Sequence, residues 1–185
     1  MRTLSRRELG RALLARNLLL ERAPLSAVEA VRHLVGLQAQ EPQEPYVGLF
    51  SRLVSFDPSE PSRALEERRL VRTLMMRRTL HLMTAEDCLA LRPLHQPMLE
   101  QRTRSVLRTR LPGVDEAELA AAGALLFDER PRTLSEVGRA VQHRWPHAAP
   151  RDLGDALSSL VPLVQVPPRC IWKSIWTGPL GPCTT

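Results

Sequence analysis

Between Leu70 and Thr84 the chain changes its hydrophobic period. Upstream, apolar residues recur at helical spacing. Leu70–Met76 and Thr79–Thr84 instead read as two strands around a tip at Arg77-Arg78. The helices before this hairpin are well marked. Ser5-Arg6-Arg7-Glu8 is a capping box, and Leu9, Leu13, Leu19 and Leu20 recur on one side, which predicts a helix over Arg6–Glu21. Ser26-Ala27-Val28-Glu29 is a second capping box, opening a helix with Val28, Val31, Leu34 and Val35 inward. Pro45–Leu53 reads as a short helix, Pro58 and Pro61 interrupt the chain, and Ser62–Arg69 reads as a fourth.

Short helices followed by a two-stranded hairpin are the outline of a winged helix. Downstream, Thr84-Ala85-Glu86-Asp87 caps a helix that meets Pro93, and an arginine-studded connector covers Gln96–Arg110. Helices are predicted over Asp115–Phe127, from Ser135 onward with Leu134, Val137 and Val141 apolar, and over Asp152–Leu160. Leu163–Val166 then reads as a strand, turned by Pro167-Pro168. This order echoes residues 5–84. The expected fold is mainly α with short β-hairpins, a tandem winged helix-turn-helix whose second unit is incomplete. Its parts are a first winged-helix domain (1–95), a basic connector (96–114), a second domain (115–169) and an anomalous tail (170–185). The tail holds both isoleucines, Ile171 and Ile175, the lone lysine Lys173, and two of the three tryptophans. Its composition suggests translation from a shifted frame or addition at a truncation point. On this reading Leu163–Val166 is left as a bare strand edge.

Several classes of function are set aside. No stretch approaches the roughly 18 apolar residues of a membrane span. Leu18-Leu19-Leu20 is too short a core for a signal peptide, so the expected location is cytoplasmic. Cys88, Cys170 and Cys183 form no Cys-x-x-Cys pair, which argues against a structural zinc and a disulfide framework. His143 and His147 have metal-ligand spacing, but Pro146 breaks the helix between them, and no metal or other cofactor is expected. The formal charge of +6 is carried almost wholly by arginine. Arginine binds phosphate and guanine edges bidentately, so duplex DNA is the expected partner. Aromatic residues are scarce. Tyr46, Phe50 and Phe56 are assigned to the core, which disfavours a stacking platform for single strands.

The sharpest chemical signal is Leu37-Gln38-Ala39-Gln40, set between Gly36 and Pro42. Gly36 terminates a helix, and Pro42 keeps Glu41 out of helical geometry. In an extended segment residues i and i+2 share a face, so Gln38 and Gln40 are placed to aim their carboxamides at one point, such as a water molecule. Arg77 and Arg78 at the hairpin tip, with Arg68, Arg69 and Arg72 beside it, are the candidate DNA contacts, although Glu66 and Glu67 are near enough to engage some of them. His81, alone in the returning strand, reads as structural.

Arg16-Asn17-Leu18-Leu19-Leu20, Leu34–Gln40, Pro45-Tyr46-Val47-Gly48-Leu49, Leu70–Leu82 and Leu163–Arg169 together resemble the AlkZ-like and YcaQ-like winged-helix DNA glycosylases. The resemblance covers nearly all of residues 1–169. It implies tandem winged helices that hydrolyse the sugar–base bond at alkylated guanines, crosslinks among them, with a Gln-x-Gln or Gln-x-Asp motif holding the catalytic water. The matching positions here are Gln38 and Gln40. Relatives run to about twice this length, with three winged helices. They often carry Arg-Gly at the first hairpin tip, where this chain has Arg77-Arg78. Losing that glycine costs about 1 kcal/mol if the tip needs positive φ.

A neutral amide is a poor base but orients water through an acceptor and a donor. That suffices when the leaving group is already cationic, as N7-alkylguanine is. Lyase-type glycosylases use an amine to form a Schiff base. Lys173 is the only lysine, so a hydrolytic, monofunctional enzyme is expected. Two alternatives stay open at this level: a non-enzymatic winged-helix regulator, and an inactive truncated product.

Overall fold

The computed structural model describes residues 3–173 and 180–183, without the side chains of Arg102 and Val106. Both predicted capping boxes are present. Ser5 Oγ accepts from Glu8 N and opens α1 (Arg6–Arg16), and Ser26 Oγ accepts from Glu29 N and opens α2 (Ala27–Leu34). In each, the glutamate returns a bond to the cap residue's own N–H, so two orphan donors are satisfied together. α1 stops short of Glu21 because the Asn17 side-chain amide donates to Leu13 O and Leu18 takes a left-handed conformation. Its leucines do not pack inward: Leu9 and Leu13 are 52% and 64% exposed. α2 buries Ala27, Ala30 and Val31, whereas Val35, expected inside, is its left-handed exposed cap.

The chain continues through β1 (Leu37–Gln38), α3 (Glu44–Phe50) and α4 (Ser59–Glu66). Pro61 lies in the first turn of α4, where a missing N–H costs nothing, so the helix begins before it rather than after. β2 (Leu70–Leu74) and β3 (Leu80–Thr84) form the expected hairpin, with Leu70 opposite Thr84 and Leu74 opposite Leu80. At its tip Arg77 and Arg78 both have positive φ, 55° and 59°. The strain foreseen for a tip without glycine is therefore real.

α5 spans Ala85–Leu107 and passes through Pro93 and Pro97. The helix expected to end at Pro93 is held by its packing on α8 (Pro150–Leu160). Gln96 Nε2 donates to Ser159 O at 3.0 Å and to Leu160 O at 3.3 Å, meeting carbonyls that the end of α8 leaves free. α6 (Glu116–Glu129) and α7 (Leu134–Val141) complete the second group, with Thr133 and Glu136 forming a third capping box. α7 and α8 meet backbone to backbone. A Cβ on Gly138 would lie 2.1 Å from Pro150 O, and one on Gly154 2.6 Å from Leu134 O.

Among the described residues the strands form one antiparallel sheet in the order β1-β3-β2-β4-β5, with β4 at Leu163–Gln165 and β5 at Leu180–Pro182. β4 is therefore not a bare edge. Thr73 of β2 pairs with Val164 on one side, and β5 covers the other. The tail supplies the returning strand whose place it was expected merely to occupy. Its residues Cys170–Trp172 also pack on the first half, through Tyr46 OH to Cys170 O at 2.6 Å and a Tyr46–Trp172 ring contact. Ile175 and Trp176, part of the case for an anomalous tail, lie outside the described residues.

Two apolar cores flank the sheet's ends. One gathers Ala30, Val31, Leu49, Leu65, Leu70 and Leu82, with Cys170. The other gathers Leu119, Phe127, Val137, Leu153, Leu157 and Leu163. The architecture is mainly helical with a small antiparallel sheet. No helix among the described residues is long and apolar enough to cross a membrane.

Gly138→Ala should cost roughly 1–3 kcal/mol by overpacking against the α8 backbone, read as a lower urea midpoint at unchanged m-value. Arg77→Gly should gain about 1 kcal/mol in the same assay by relieving the left-handed strain, while Arg77→Ala gains nothing. His81 is buried, and desolvation lowers its pKa below the ordinary 6.5, opposed by its bond to Thr79 O. The unfolded chain then takes up a proton near pH 6.5 that the native state refuses until lower pH. Stability from this group is full above that value and falls as pH drops through it. His81→Gln should remove this part of the acid limb in urea titrations at about pH 7.5 and about pH 5.5.

Candidate active site

The glutamine segment is extended because the chain on either side of it cannot be helical. Gly36 sits at φ 120°, where its missing Cβ lets Leu82 O and the Met83 side chain approach. The backbone then joins the sheet: Leu37 pairs with Leu82, Gln38 with His81, and Ala39 N donates to Leu80 O at 2.7 Å. Ala39 is fully buried, and Gln38 and Gln40 are both exposed on either side of it. This is the strand alternation expected from sequence, and both glutamines line one shallow cleft of about 730 Å³. Gln40 Oε1 accepts from Leu80 N at 3.3 Å, which fixes that carboxamide's acceptor end. Gln38 makes no side-chain hydrogen bond among the described residues.

Other groups in the cleft escaped sequence reasoning. Glu41 and Glu44 line it, and Glu44 Oε2 accepts from Glu41 N at 3.3 Å. The signal was present as a tandem Gln-Glu-Pro repeat over residues 40–45. Arg52 lines it too. Its Nε donates to Asn17 O at 2.9 Å and Nη1 to Gly48 O at 2.8 Å, and partial burial lowers its pKa. Asn17 thus ties the end of α1 to the cleft wall. The polar groups of the cleft are three amides, Gln38, Gln40 and Gln43, two carboxylates and one guanidinium, and the Gln43 carboxamide is taken up by Ile171 O and Lys173 N. The site can orient a water molecule and place negative charge beside a developing cation.

The five arginines expected to touch DNA separate into distinct groups. Arg68 is exposed at a left-handed turn and lines a different cavity, of about 410 Å³. Arg77 is exposed at the hairpin tip. Arg69 pairs with Glu67 at 2.7 Å, both about half exposed. Arg78 is turned onto α8, 2.6 Å from Asp155 Oδ1 and 3.1 Å from Ser159 Oγ. Arg72, expected at phosphate, is 1% exposed and points behind the glutamine segment instead. Its guanidinium is occupied by Ala39 O, Gln40 O and the Gln165 side chain.

The aromatic residues also divide. Tyr46 is buried, its hydroxyl shared between Ser62 Oγ and Cys170 O, and desolvation pushes its pKa up to about 12. Phe50, expected in the core, is 55% exposed, edge-on to Phe56 and capped by Arg22 at 4.9 Å. His143 Nδ1 and His147 Nε2 each meet a backbone carbonyl, Ala140 O and Pro112 O, at 2.8 Å. Among the described residues no group of three or more His, Cys, Asp or Glu side chains is placed to hold a metal ion.

Comparison with known proteins bears on the family and the fold. No protein of curated function matches the chain. The solved structure of Streptomyces sahachiroi DNA glycosylase AlkZ superposes with a TM-score of 0.73 at 22% identity, covering 97% of this chain and 49% of that one. At that identity the likeness speaks for the fold, and the chain spans about half of that protein's length. The family model described as DNA glycosylase AlkZ-like matches residues 31–179, a span that includes the glutamine cleft, the hairpin and β4, and so the chain belongs to the AlkZ-like DNA glycosylase family.

Proposed function

We propose that this protein is a monofunctional DNA glycosylase that hydrolyses N7-alkylated guanine, crosslinked adducts among them, from duplex DNA in the cytoplasm. The observation that carries the reading is the shared cleft of Gln38 and Gln40, held open on either side of a buried Ala39 in a chain of this family. N7 alkylation leaves a positive charge on the base, so the glycosyl bond is already weakened. The enzyme has then to hold a water in line and tolerate a cationic sugar. Gln40, its acceptor end fixed by Leu80 N, keeps an N–H donor for the cleft, and Gln38 offers both functions. Glu41 and Glu44 supply the negative charge that two neutral amides lack.

The fold counterpart of this reading is a tandem winged helix, residues 1–95 and 115–169, joined through residues 96–114. Arg77 and Arg68 meet duplex phosphates, with Arg69 joining when its pair with Glu67 opens. Arg72 and Arg78 serve inside the protein. Hydrolysis rather than lyase chemistry is the reading for a chain whose only lysine is Lys173, and because the Lys173 backbone N–H donates to cleft residue Gln43 at 3.2 Å, that residue is the one a trapping experiment addresses.

The test is release of 7-methylguanine from methylated duplex DNA. Wild type should release the base, and Gln38→Ala and Gln40→Ala should each slow release by at least about tenfold, with undamaged DNA untouched. Equal release by all three proteins overturns the glutamine site. Tight binding to one short sequence with no base release assigns the chain to a regulator instead. A borohydride-trapped adduct overturns the hydrolytic mechanism.

A further inference from the structure

Arg72 is a buried guanidinium with no carboxylate at ion-pairing distance among the described residues, and desolvation lowers its pKa. Such a group is tolerated only when its N–H donors are taken up. Nε donates to Ala39 O at 2.7 Å and Nη2 to Gln40 O at 2.8 Å. The fork thus grips two consecutive carbonyls of the glutamine segment from behind. Nη1 donates to Gln165 Oε1, on β4, and Cys170 Sγ approaches the same oxygen at 3.7 Å.

The segment needs this grip. β1 is two residues long, too short to fix its own geometry, and beyond it the sheet adds only Ala39 N to Leu80 O and Leu80 N to Gln40 Oε1. Arg72 thus holds the Gln40 carbonyl on one side and, on the other, meets an acceptor 93 residues further along the chain. A positive charge behind the site would repel a cationic sugar, so its contribution is geometric rather than electrostatic. We propose that Gln165 and Arg72 are positioning residues for the glutamine cleft, so that the second half of the chain completes a site whose cleft-lining residues all come from the first. The inference rests on the glycosylase reading for its kinetic consequence, not for its structural one.

Gln165→Leu removes the acceptor while leaving both carbonyl bonds of Arg72, and half-buried Gln165 is a milder site to change than Arg72 itself. Gln165→Glu keeps an acceptor of the same length. In the full chain, Gln165→Leu should speed amide hydrogen exchange across residues 38–41 at least about fivefold and lower the single-turnover base-release constant about tenfold, with duplex affinity within about twofold. Gln165→Glu should restore both. Wild-type exchange in Gln165→Leu overturns the proposal, as does a Gln165→Glu variant as defective as Gln165→Leu. A variant that loses only active fraction, at an unchanged rate constant per active molecule, also overturns it and leaves a purely structural role. If wild type releases no base, the glycosylase reading fails, and the exchange comparison alone decides whether Gln165 holds the segment.

Discussion

The antiparallel contact of Thr73 with Val164 runs one sheet through both groups of helices, which the contacts of Gln96 and Arg78 with α8 and of Tyr46 with Cys170 also tie together. At that point the Thr73 hydroxyl also donates to Leu163 O at 2.8 Å, so one residue supplies both a ladder position and a side-chain bond to the neighbouring strand. The joint lies in the middle of the sheet, between the hairpin that carries β1 and the pair formed by β4 and β5. Through it β4 brings the Gln165 side chain against Arg72, and the apolar core of the first half itself includes Cys170. The geometry of the cleft is thus a property of the whole sheet, although every residue lining it falls between Leu37 and Arg52.

What sequence made legible was local and strongly signalled. The Ser5 and Ser26 capping boxes, the hairpin at Leu70–Thr84 and the alternation of Gln38, Ala39 and Gln40 all follow from neighbours within a few residues. What it obscured was set by distant partners. Pro93 and Pro97 end a helix in isolation, but here the helix is braced by Gln96 on the last carbonyls of α8. α1 was cut short by one amide, Asn17 to Leu13 O, against a leucine pattern that pointed further on. The tail looked foreign by composition, yet Leu180–Pro182 pairs with Leu163–Gln165 and closes the far side of β4.

Arginine was the hardest residue to read. A surplus of positive charge indicates an anionic partner, but it does not say which side chains face that partner. The alternation itself held the answer for Arg72. It stands two residues from Leu70, on the same side of β2, and both are buried. For Arg78 no local signal existed, because Asp155 and Ser159 reach it from 77 and 81 residues away.

That last contact changes how the hairpin can move. A loop tip with two arginines is ordinarily a free lever that swings to follow a ligand. Here one of the two is clamped between a carboxylate and a hydroxyl on α8, while the other stays in water. The tip is therefore hinged to the second helical group, and any excursion of the hairpin drags α8 with it. A push on Arg77 is passed through its neighbour Arg78 to Asp155 and Ser159 of α8 as well as along β2 and β3.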